Sequence, residues 1–281
     1  MRTIDGRAHA AAISAAVTID VDRLRSQGIA PRLAVVVPTD DEATAWYVRN
    51  IGRAAAKVGV ECAVESLIGA GAASLTRRLA ALSVDPGVHG IICQTPLPAG
   101  LSLAAAGAFI DPAKDVDGAN PLSLGRLAAG LDAYAPATAA AVMEILRRDA
   151  VPMRGARAVV IGRSTVVGKP LALLLIAADA TVTVCHSRTV DLPAVAATAD
   201  ILVAAAGRPA LVTADYIKPG AIVVDVGTNP TADGGLVGDV DPAGAAKAAG
   251  LTPVPGGVGP VTTAMLLRAT VTAAALRSSI D

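Results

Sequence analysis

Apolar residues fall along the chain in short uninterrupted runs that alternate with longer stretches of helical spacing. The run Leu33-Ala-Val-Val-Val-Pro38 ends in turn residues, the pattern of a parallel strand buried on both faces. From Glu42 to Val58 the apolar positions follow the helical period, which predicts a helix. Two further β-like segments, Glu61 to Leu67 and His89 to Gln94, are separated by a helical stretch ending near Ser83, so this part reads as a βαβαβ unit. After Gln94 the texture changes. The stretches Gln94-Thr-Pro-Leu-Pro98 and Asp111-Pro-Ala-Lys-Asp-Val-Asp-Gly-Ala-Asn-Pro121 hold too many prolines and glycines for regular elements. They are predicted loops at strand ends, where α/β proteins place their chemistry.

A second alternating series starts at Ala156, with strands predicted at Ala158 to Gly162, Thr181 to Cys185, Ile201 to Ala205 and Ala221 to Val226. Pro253 to Pro260 is irregular again, and Val261 to Arg277 reads as an amphipathic terminal helix. At 281 residues the chain exceeds what one compact core usually organises. The expected fold is therefore α/β in two domains: an N-terminal α/β domain over residues 1–140 and a Rossmann-type dinucleotide-binding domain over 141–260. The terminal helix, 261–281, is expected to pack back on the first. The boundary falls in residues 135–150.

Composition narrows the partners. Lys plus Arg equals Asp plus Glu at 24 each, so no net field draws the chain to phosphate backbones or anionic lipid. With one Trp, three Tyr and one Phe it also lacks stacking platforms for single strands. Neither nucleic acid nor a membrane is an expected partner, since no stretch approaches the roughly 18 uninterrupted apolar residues of a span. The cysteines Cys62, Cys93 and Cys185 are an odd number at no metal-like spacing, so no metal is expected. Without a charged-then-apolar leader, the expected location is a reducing cytoplasm.

Candidate chemistry centres first on Gly162-Arg163-Ser164-Thr165-Val166-Val167-Gly168-Lys169-Pro170. A strand runs directly into Gly162, and Pro170-Leu-Ala-Leu-Leu-Leu-Ile176 reads as a helix with Pro at its first position. Glycine at the strand end allows a tight turn, Ser164 is small enough for the backbone to approach a pyrophosphate, and a helix N-terminus offers unpaired N–H groups. Ser164 and Val167 stand where the second and third glycines of GxGxxG would be. The second strand of the series ends Cys185-His186-Ser187-Arg188-Thr189, without the carboxylate that binds an NAD ribose. A hydroxyl and a guanidinium there, with Arg163 in the first turn, suit a 2′-phosphate and favour NADP. Arg188 is equally readable as an ordinary solvated arginine.

Six motifs in register resemble the bifunctional methylenetetrahydrofolate dehydrogenase/methenyltetrahydrofolate cyclohydrolase family. They are the turn GRSxxVGxP at Gly162, the strand end CHSxT at Cys185, Asp225-Val226-Gly227, the tail Pro253-Val-Pro-Gly-Gly-Val-Gly-Pro260, and the loops beginning at Gln94 and at Lys114. The match runs from about Asp5 to Ala274. The resemblance implies a homodimer whose two domains face each other across a cleft, with folate in the cleft and NADP on the Rossmann side. It implies that Gly162, Arg163 and Ser164 hold cofactor phosphates, that Ser187 contacts the 2′-phosphate, and that Thr228 lies near the nicotinamide. It assigns Tyr47, Gln94 and Asp117 to catalysis, and Tyr47, position 51, Gln94, Asp117, Pro255, Gly256, Gly257 and Gly259 to the substrate. A carboxylate at Asp117 can accept two N–H bonds from a 2-aminopyrimidinone edge; Asp-Val-Asp-Gly is also good turn chemistry by itself.

The chain departs from that pattern in three places. Four residues after Tyr47, where the family carries its catalytic lysine, stands Ile51. Arg49 and Arg53 lie two residues to either side of it, about 200° around the helix, and Lys57 is ten residues beyond Tyr47, so none replaces that lysine simply. Lys114 is the other candidate. Pro136-Ala-Thr-Ala-Ala-Ala141 replaces the family's PCTPxG, and Thr95 replaces a leucine after Gln94. The implied activity is NADP-dependent oxidation of 5,10-methylenetetrahydrofolate, with hydrolysis to 10-formyltetrahydrofolate placed in doubt by Ile51. Two other readings stay open: a non-catalytic folate or nucleotide binder, and a dehydrogenase of another small substrate on the same scaffold.

Overall fold

The structure, a computed structural model, describes residues 1–231 and 233–277. In chain order its elements begin with β1 (Arg2–Thr3), α1 (Gly6–Ser26), β2 (Arg32–Val37), α2 (Glu42–Val58), β3 (Glu61–Ser66), α3 (Ala72–Val84), β4 (Gly90–Cys93), α4 (Leu103–Gly107), α5 (Pro121–Ala128) and α6 (Ala137–Arg148). They continue with β5 (Arg157–Ile161), α7 (Gly168–Ala177), β6 (Thr181–Cys185), α8 (Leu192–Ala196), β7 (Ile201–Ala204), β8 (Ile222–Asp225), β9 (Asn229–Pro230), β10 (Leu236–Val237), β11 (Gly250–Leu251) and α9 (Val258–Arg277). Two compact units result: Ala11–Ala137 with the chain from Thr263 onward, and Met1–Ala10 with Thr138–Thr262.

The first unit holds a parallel sheet of order β3-β2-β4. Its Val- and Ile-rich strands pack with Leu75, Leu79 and Leu82 of α3 and with Ile110 into one apolar cluster. Helix α2 starts where Asp41 accepts the Thr44 N–H at 2.8 Å, and stops at Gly59, whose φ of 80° an L side chain rarely adopts. Its buried stripe is Thr44, Val48, Ile51, Ala55 and Val58, the helical spacing predicted from sequence.

The second unit is built on a six-stranded sheet of order β1-β11-β8-β7-β5-β6, parallel throughout. The chain runs from β5 to β6 on one side and then returns to place β7 on the other, so β5 is the switch point of a Rossmann-type sheet. Residues 1–10 belong here and not with the N-terminal segment expected to contain them. Arg2 pairs with Gly250 and Thr3 with Leu251, and a Cβ at Gly6 would stand 1.8 Å from the Gly257 carbonyl oxygen, an approach only glycine permits.

Two helices differ from expectation. Helix α1 is not among the predicted elements, although Ile13, Val17, Val21 and Leu24 recur at helical spacing and are buried; the alanines between them dilute the contrast. Helix α9 starts at Val258, ahead of Val261, and is buried on most sides where an amphipathic helix was expected. It is long and apolar enough to cross a membrane, but 61% of its most apolar window is buried inside the protein, as in the core helix of a globular fold.

Candidate active site

Three segments of the first unit carry the residues singled out around Tyr47. Tyr47 is one turn after the capped start of α2, at the border between the buried stripe and solvent. Thr44, in the turn before it, donates its hydroxyl to Asp41 Oδ2 and to the Thr95 carbonyl, both at 2.9 Å. That second bond ties α2 to the loop leaving β4, in which Gln94 donates its N–H to the Val36 carbonyl at 2.9 Å. Tyr47 and Gln94 are thus held at the C-terminal end of the three-stranded sheet. The sequence reading missed Thr44, although Asp41 three residues before it is a recognisable capping signal.

Asp117 joins Tyr47 electrostatically. Burial, then the Asp117 charge, hold the Tyr47 phenol far above its usual range, so it stays protonated and can donate. Burial pushes Asp117 up to about 6, opposed by an N–H bond from Ala137 at 3.2 Å and reinforced by Asp115. Because α6 begins at Ala137, the helix entry survives the loss of the proline and glycine expected beside Thr138.

The turn itself is made by Asp115. Its carboxylate accepts the N–H groups of Ala119 and Asn120 at 2.8 Å and the Ser123 hydroxyl at 2.9 Å, while Gly118, at φ 61°, lies flat against Pro136. Asp117 is left with one N–H bond and is the carboxylate of the pair available to a ligand. Lys114 supplies no cation to it. Its side chain is buried and its Nζ donates to the carbonyls of Leu82 at 3.4 Å and Asp85 at 2.5 Å. Ile51 is completely buried, so position 51 offers neither charge nor proton.

In the second unit the strand-to-helix turn follows β5 at the switch point. Gly162 has φ 136° and a Cβ there would lie 2.2 Å from the Ala205 carbonyl oxygen. Helix α7 starts at Gly168, two residues before Pro170, and a Cβ at Gly168 would lie 2.0 Å from the Gly162 carbonyl oxygen. The close strand–helix approach assigned to the third glycine of the fingerprint therefore falls to Gly168, not to position 167. Val167 has no side-chain acceptor to cap α7, and since the Lys169 N–H donates to the Ser164 carbonyl at 3.0 Å and Pro170 has none, the Gly168 N–H is the first-turn donor left for an anion. Ser164 Oγ accepts the Val167 N–H at 3.1 Å, and Arg163 and Ser164 are exposed.

Register places the end of β6 beside that turn, because Ile161 faces Cys185 and the Gly162 N–H donates to the Cys185 carbonyl at 2.9 Å. Past it, His186 accepts the Arg188 N–H at 3.2 Å and Thr189 Oγ1 accepts the His186 N–H at 2.9 Å. This small turn leaves Ser187 and Arg188 exposed. His186 thus shapes the loop. Hydroxyls and two guanidiniums, with no carboxylate ending β6, fit a dinucleotide with a 2′-phosphate.

Two buried carboxylates that the sequence reading left unassigned organise the neighbouring loops. Asp225 accepts N–H groups of Gly227, Asp239 and Val240, each at 2.9 Å, and burial holds it above the usual carboxylate range. Asp239 accepts those of Ala206, Gly207 and Arg208 at 2.6–2.9 Å. Between them Thr228 is held exposed. Each aspartate packs against a glycine, Gly238 and Gly227 respectively, whose Cβ would collide with it, and an Asp–Gly pairing was the one signal available. Pro255 follows a cis bond and is exposed, Gly256 is at φ 112°, Gly257 has no room for a side chain, and Gly259 stands open.

The remaining candidates have structural roles. His9 bonds Asp149 at 2.8 Å and His89 accepts the Arg32 N–H at 3.1 Å. Burial pushes the Cys93 thiol up to about 11, away from nucleophile chemistry. Among the described residues no group of His, Cys, Asp and Glu could hold a metal ion.

Residues 4–117 match the family described as tetrahydrofolate dehydrogenase/cyclohydrolase, catalytic domain, and residues 136–278 match its NAD(P)-binding domain. A bifunctional protein FolD of Parafrankia sp. is 65% identical over 275 residues, 98% of this chain and 99% of its own. The crystal structure of the FolD dehydrogenase/cyclohydrolase of Campylobacter jejuni superposes with a TM-score of 0.96 at 39% identity, covering 99% of both chains. That of Trypanosoma brucei, complexed with NADP cofactor and inhibitor, gives 0.94 at 41% identity, covering 99% of this chain and 98% of its own.

Proposed function

The chain belongs to the tetrahydrofolate dehydrogenase/cyclohydrolase family, and from that premise we propose an NADP-dependent methylenetetrahydrofolate dehydrogenase in which the hydrolytic half of the family's chemistry is weak or lost. The observation that carries the second clause is Ile51, fully buried where the family's catalytic lysine belongs.

NADP fits the turn after β5, and when bound it supplies the acceptor for a hydride. Gly162 and Gly168 shape that turn, Arg163 and Ser164 with the start of α7 hold the diphosphate, and Ser187 and Arg188 meet the 2′-phosphate. Thr228 stands toward the nicotinamide. On the folate, Asp117 accepts the paired N–H groups of the pterin edge, and protonated Tyr47 donates a hydrogen bond while shielding the reacting carbon from water. Gln94 orients the bridge, and the backbone of Pro255, Gly256, Gly257 and Gly259 contributes to the substrate contact.

The two reactions ask different things of these residues. Oxidising the methylene bridge draws on the nitrogen lone pair of the folate itself, so no side chain has to accept a proton. Hydrolysing the methenyl bridge requires an activated water and later proton transfers, worth about 10²–10⁴ in rate when a tuned group performs them. Ile51 can do neither, Lys114 is committed to backbone carbonyls, and Gln94 exchanges no proton near neutral pH. A homodimer belongs to the same reading: β3 and β6 are edge strands, each with one row of backbone groups unpaired within its sheet. Sedimentation checks it.

Purified protein mixed with 5,10-methylenetetrahydrofolate and either NADP or NAD tests the main reading by reduced-nucleotide absorbance. The expected result is turnover favouring NADP, with methenyl hydrolysis no faster than in buffer. No absorbance change with either cofactor removes the dehydrogenase. Hydrolysis far above buffer and unaffected by Ile51→Ala shows that another group has taken over, and removes the proposed loss.

A further inference from the structure

Two loops of the second unit leave the same edge of its sheet and are joined at their roots by one side chain. Strands β8 and β11 are parallel neighbours, Ile222 facing Gly250 and Val223 facing Leu251. β8 runs into the loop that holds Thr228, and β11 into the loop that holds Pro255, Gly256 and Gly257. Past the last facing pair the Thr252 N–H still donates to the Val223 carbonyl, at 3.2 Å. Pro253 then has no N–H with which to continue the ladder. There the Thr252 hydroxyl takes over: it accepts the Asp225 N–H at 2.7 Å and donates more weakly to the Asp225 carbonyl at 3.4 Å. Thr252 and Asp225 are both buried, so these groups are out of solvent.

Each partner anchors its own loop. The Asp225 carboxylate gathers the N–H groups of Gly227, Asp239 and Val240 and so closes the Thr228 loop at both ends. Thr252 underlies the other loop. A Cβ at Gly257 would stand 2.8 Å from Thr252 Cβ and 2.6 Å from the Pro253 carbonyl oxygen, so the chain doubles back over the threonine. Gly6 closes on the Gly257 carbonyl, and Arg7 covers Gly256, its Nε 3.2 Å from where a Cβ would be. Gly257 is thereby packed against both Thr252 and the N-terminal segment. Among the described residues no other side-chain hydrogen bond runs between residues 225–240 and 250–257. Packing alone would be served by valine, which has the shape without the hydroxyl. The buried Asp225 N–H requires an acceptor, and the acceptor it has is carried by the residue beneath Gly257.

We propose that Thr252 is a positioning residue, its hydroxyl setting the loop that meets the folate against the loop that meets the nicotinamide end of the cofactor. The inference rests on the substrate and cofactor assignments made above. One neutral hydrogen bond changes an affinity by about two- to tenfold, whereas misplacing reacting atoms by about 1 Å costs up to about 100-fold in rate. A larger loss in turnover than in binding therefore marks positioning.

The test compares the wild type with Thr252→Val and Thr252→Ser. Calorimetry with NADP alone and with tetrahydrofolate alone reads the two loops separately, without turnover. In Thr252→Val the NADP Kd should stay within about twofold, because the Asp225 carboxylate still holds the Thr228 loop, while the tetrahydrofolate Kd should rise about five- to tenfold. With 5,10-methylenetetrahydrofolate and NADP, kcat should fall about 10- to 100-fold, and the isotope effect on methylene-deuterated substrate should increase as hydride transfer becomes the slowest step. Thr252→Ser keeps the hydroxyl and should restore the Kd, kcat and the isotope effect. Loss of packing alone would lower Tm without moving the isotope effect, and serine, lacking the methyl, would not correct it. If Thr252→Val does not fold, Thr252→Ala removes the same hydroxyl with less bulk and is read in the same way. An unchanged tetrahydrofolate Kd and isotope effect in a folded variant, or no rescue by serine, overturns the positioning role and leaves the dehydrogenase standing. A wild type that binds tetrahydrofolate without turning over removes the dehydrogenase, and the Kd comparison then decides the role of Thr252. A wild type that does neither removes the folate reading, and this proposal with it.

Discussion

The dinucleotide turn and the residues around Tyr47 lie in different compact units and are made of different material. After β5 the working surface is backbone: Gly162 and Gly168 close on each other because neither has a Cβ, and Asp225 and Asp239 hold the adjoining loops by N–H groups. Around Tyr47 the working surface is side chain, with a phenol, an amide and one carboxylate of raised pKa. A backbone site tolerates changed side chains as long as its glycines stay, which is why Ser164 and Val167 can occupy fingerprint positions. A side-chain site can lose one reaction through one substitution and keep another, which is the consequence drawn from Ile51.

The sharpest way to break this contrast is Gly168→Ala. A Cβ 2.0 Å from the Gly162 carbonyl must move the turn, and NADP affinity by calorimetry should fall about a hundredfold, the equivalent of about 2.7 kcal/mol. Folate-side binding should be untouched. A variant that binds NADP normally would mean the turn is not a rigid backbone cradle.

Asp117→Asn should cost about 10- to 100-fold in kcat/KM for methylenetetrahydrofolate, one or two charge-assisted bonds, without altering NADP affinity. The pH dependence has a defined sign. Asp117 titrates at about 6 when folded, above its unfolded value, so the stability it contributes is complete below the unfolded value and is lost as pH rises through 6. The asparagine variant of the free enzyme should therefore melt higher at pH 8. Conversely, kcat/KM of the wild type should decline below pH 6 as the acceptor carboxylate protonates, and the variant should lack that limb.

Ile51→Lys asks whether the proposed loss of hydrolysis comes down to a single side chain. Methenyl hydrolysis should rise about tenfold or more, short of the full general acid–base contribution because nothing has tuned the new amine. Since the position is fully buried, Tm should fall as the ammonium loses solvation. An unchanged hydrolysis rate in a folded variant would place the deficit elsewhere, at Thr95 or the segment around Thr138.

The smallest expected effect belongs to Thr44→Val, which removes the hydroxyl tying α2 to the Thr95 carbonyl. A loss of about 3- to 10-fold in kcat/KM, with Thr44→Ser restoring most of it, fits one hydrogen bond that positions Gln94. Failure of serine to rescue would assign the threonine to packing alone.

What the sequence by itself determined is whatever depends on neighbours in the chain. Strand runs, the helix Glu42 to Val58, the tight turn at Gly162 and the absence of a lysine after Tyr47 are all local, because hydrophobic period, glycine and residue identity act over a few residues. Tertiary structure decided the rest. It paired Arg2 and Thr3 with Gly250 and Leu251, gave Gly168 the contact that a motif count assigns to position 167, and buried Lys114 against carbonyls of α3 and its exit. It also divided Asp115 from Asp117, turning one into a loop organiser and leaving the other free to accept a ligand. Two aspartates separated by one valine are indistinguishable in sequence. Their roles follow from which N–H groups each meets once buried, and that is settled only when distant segments are packed together.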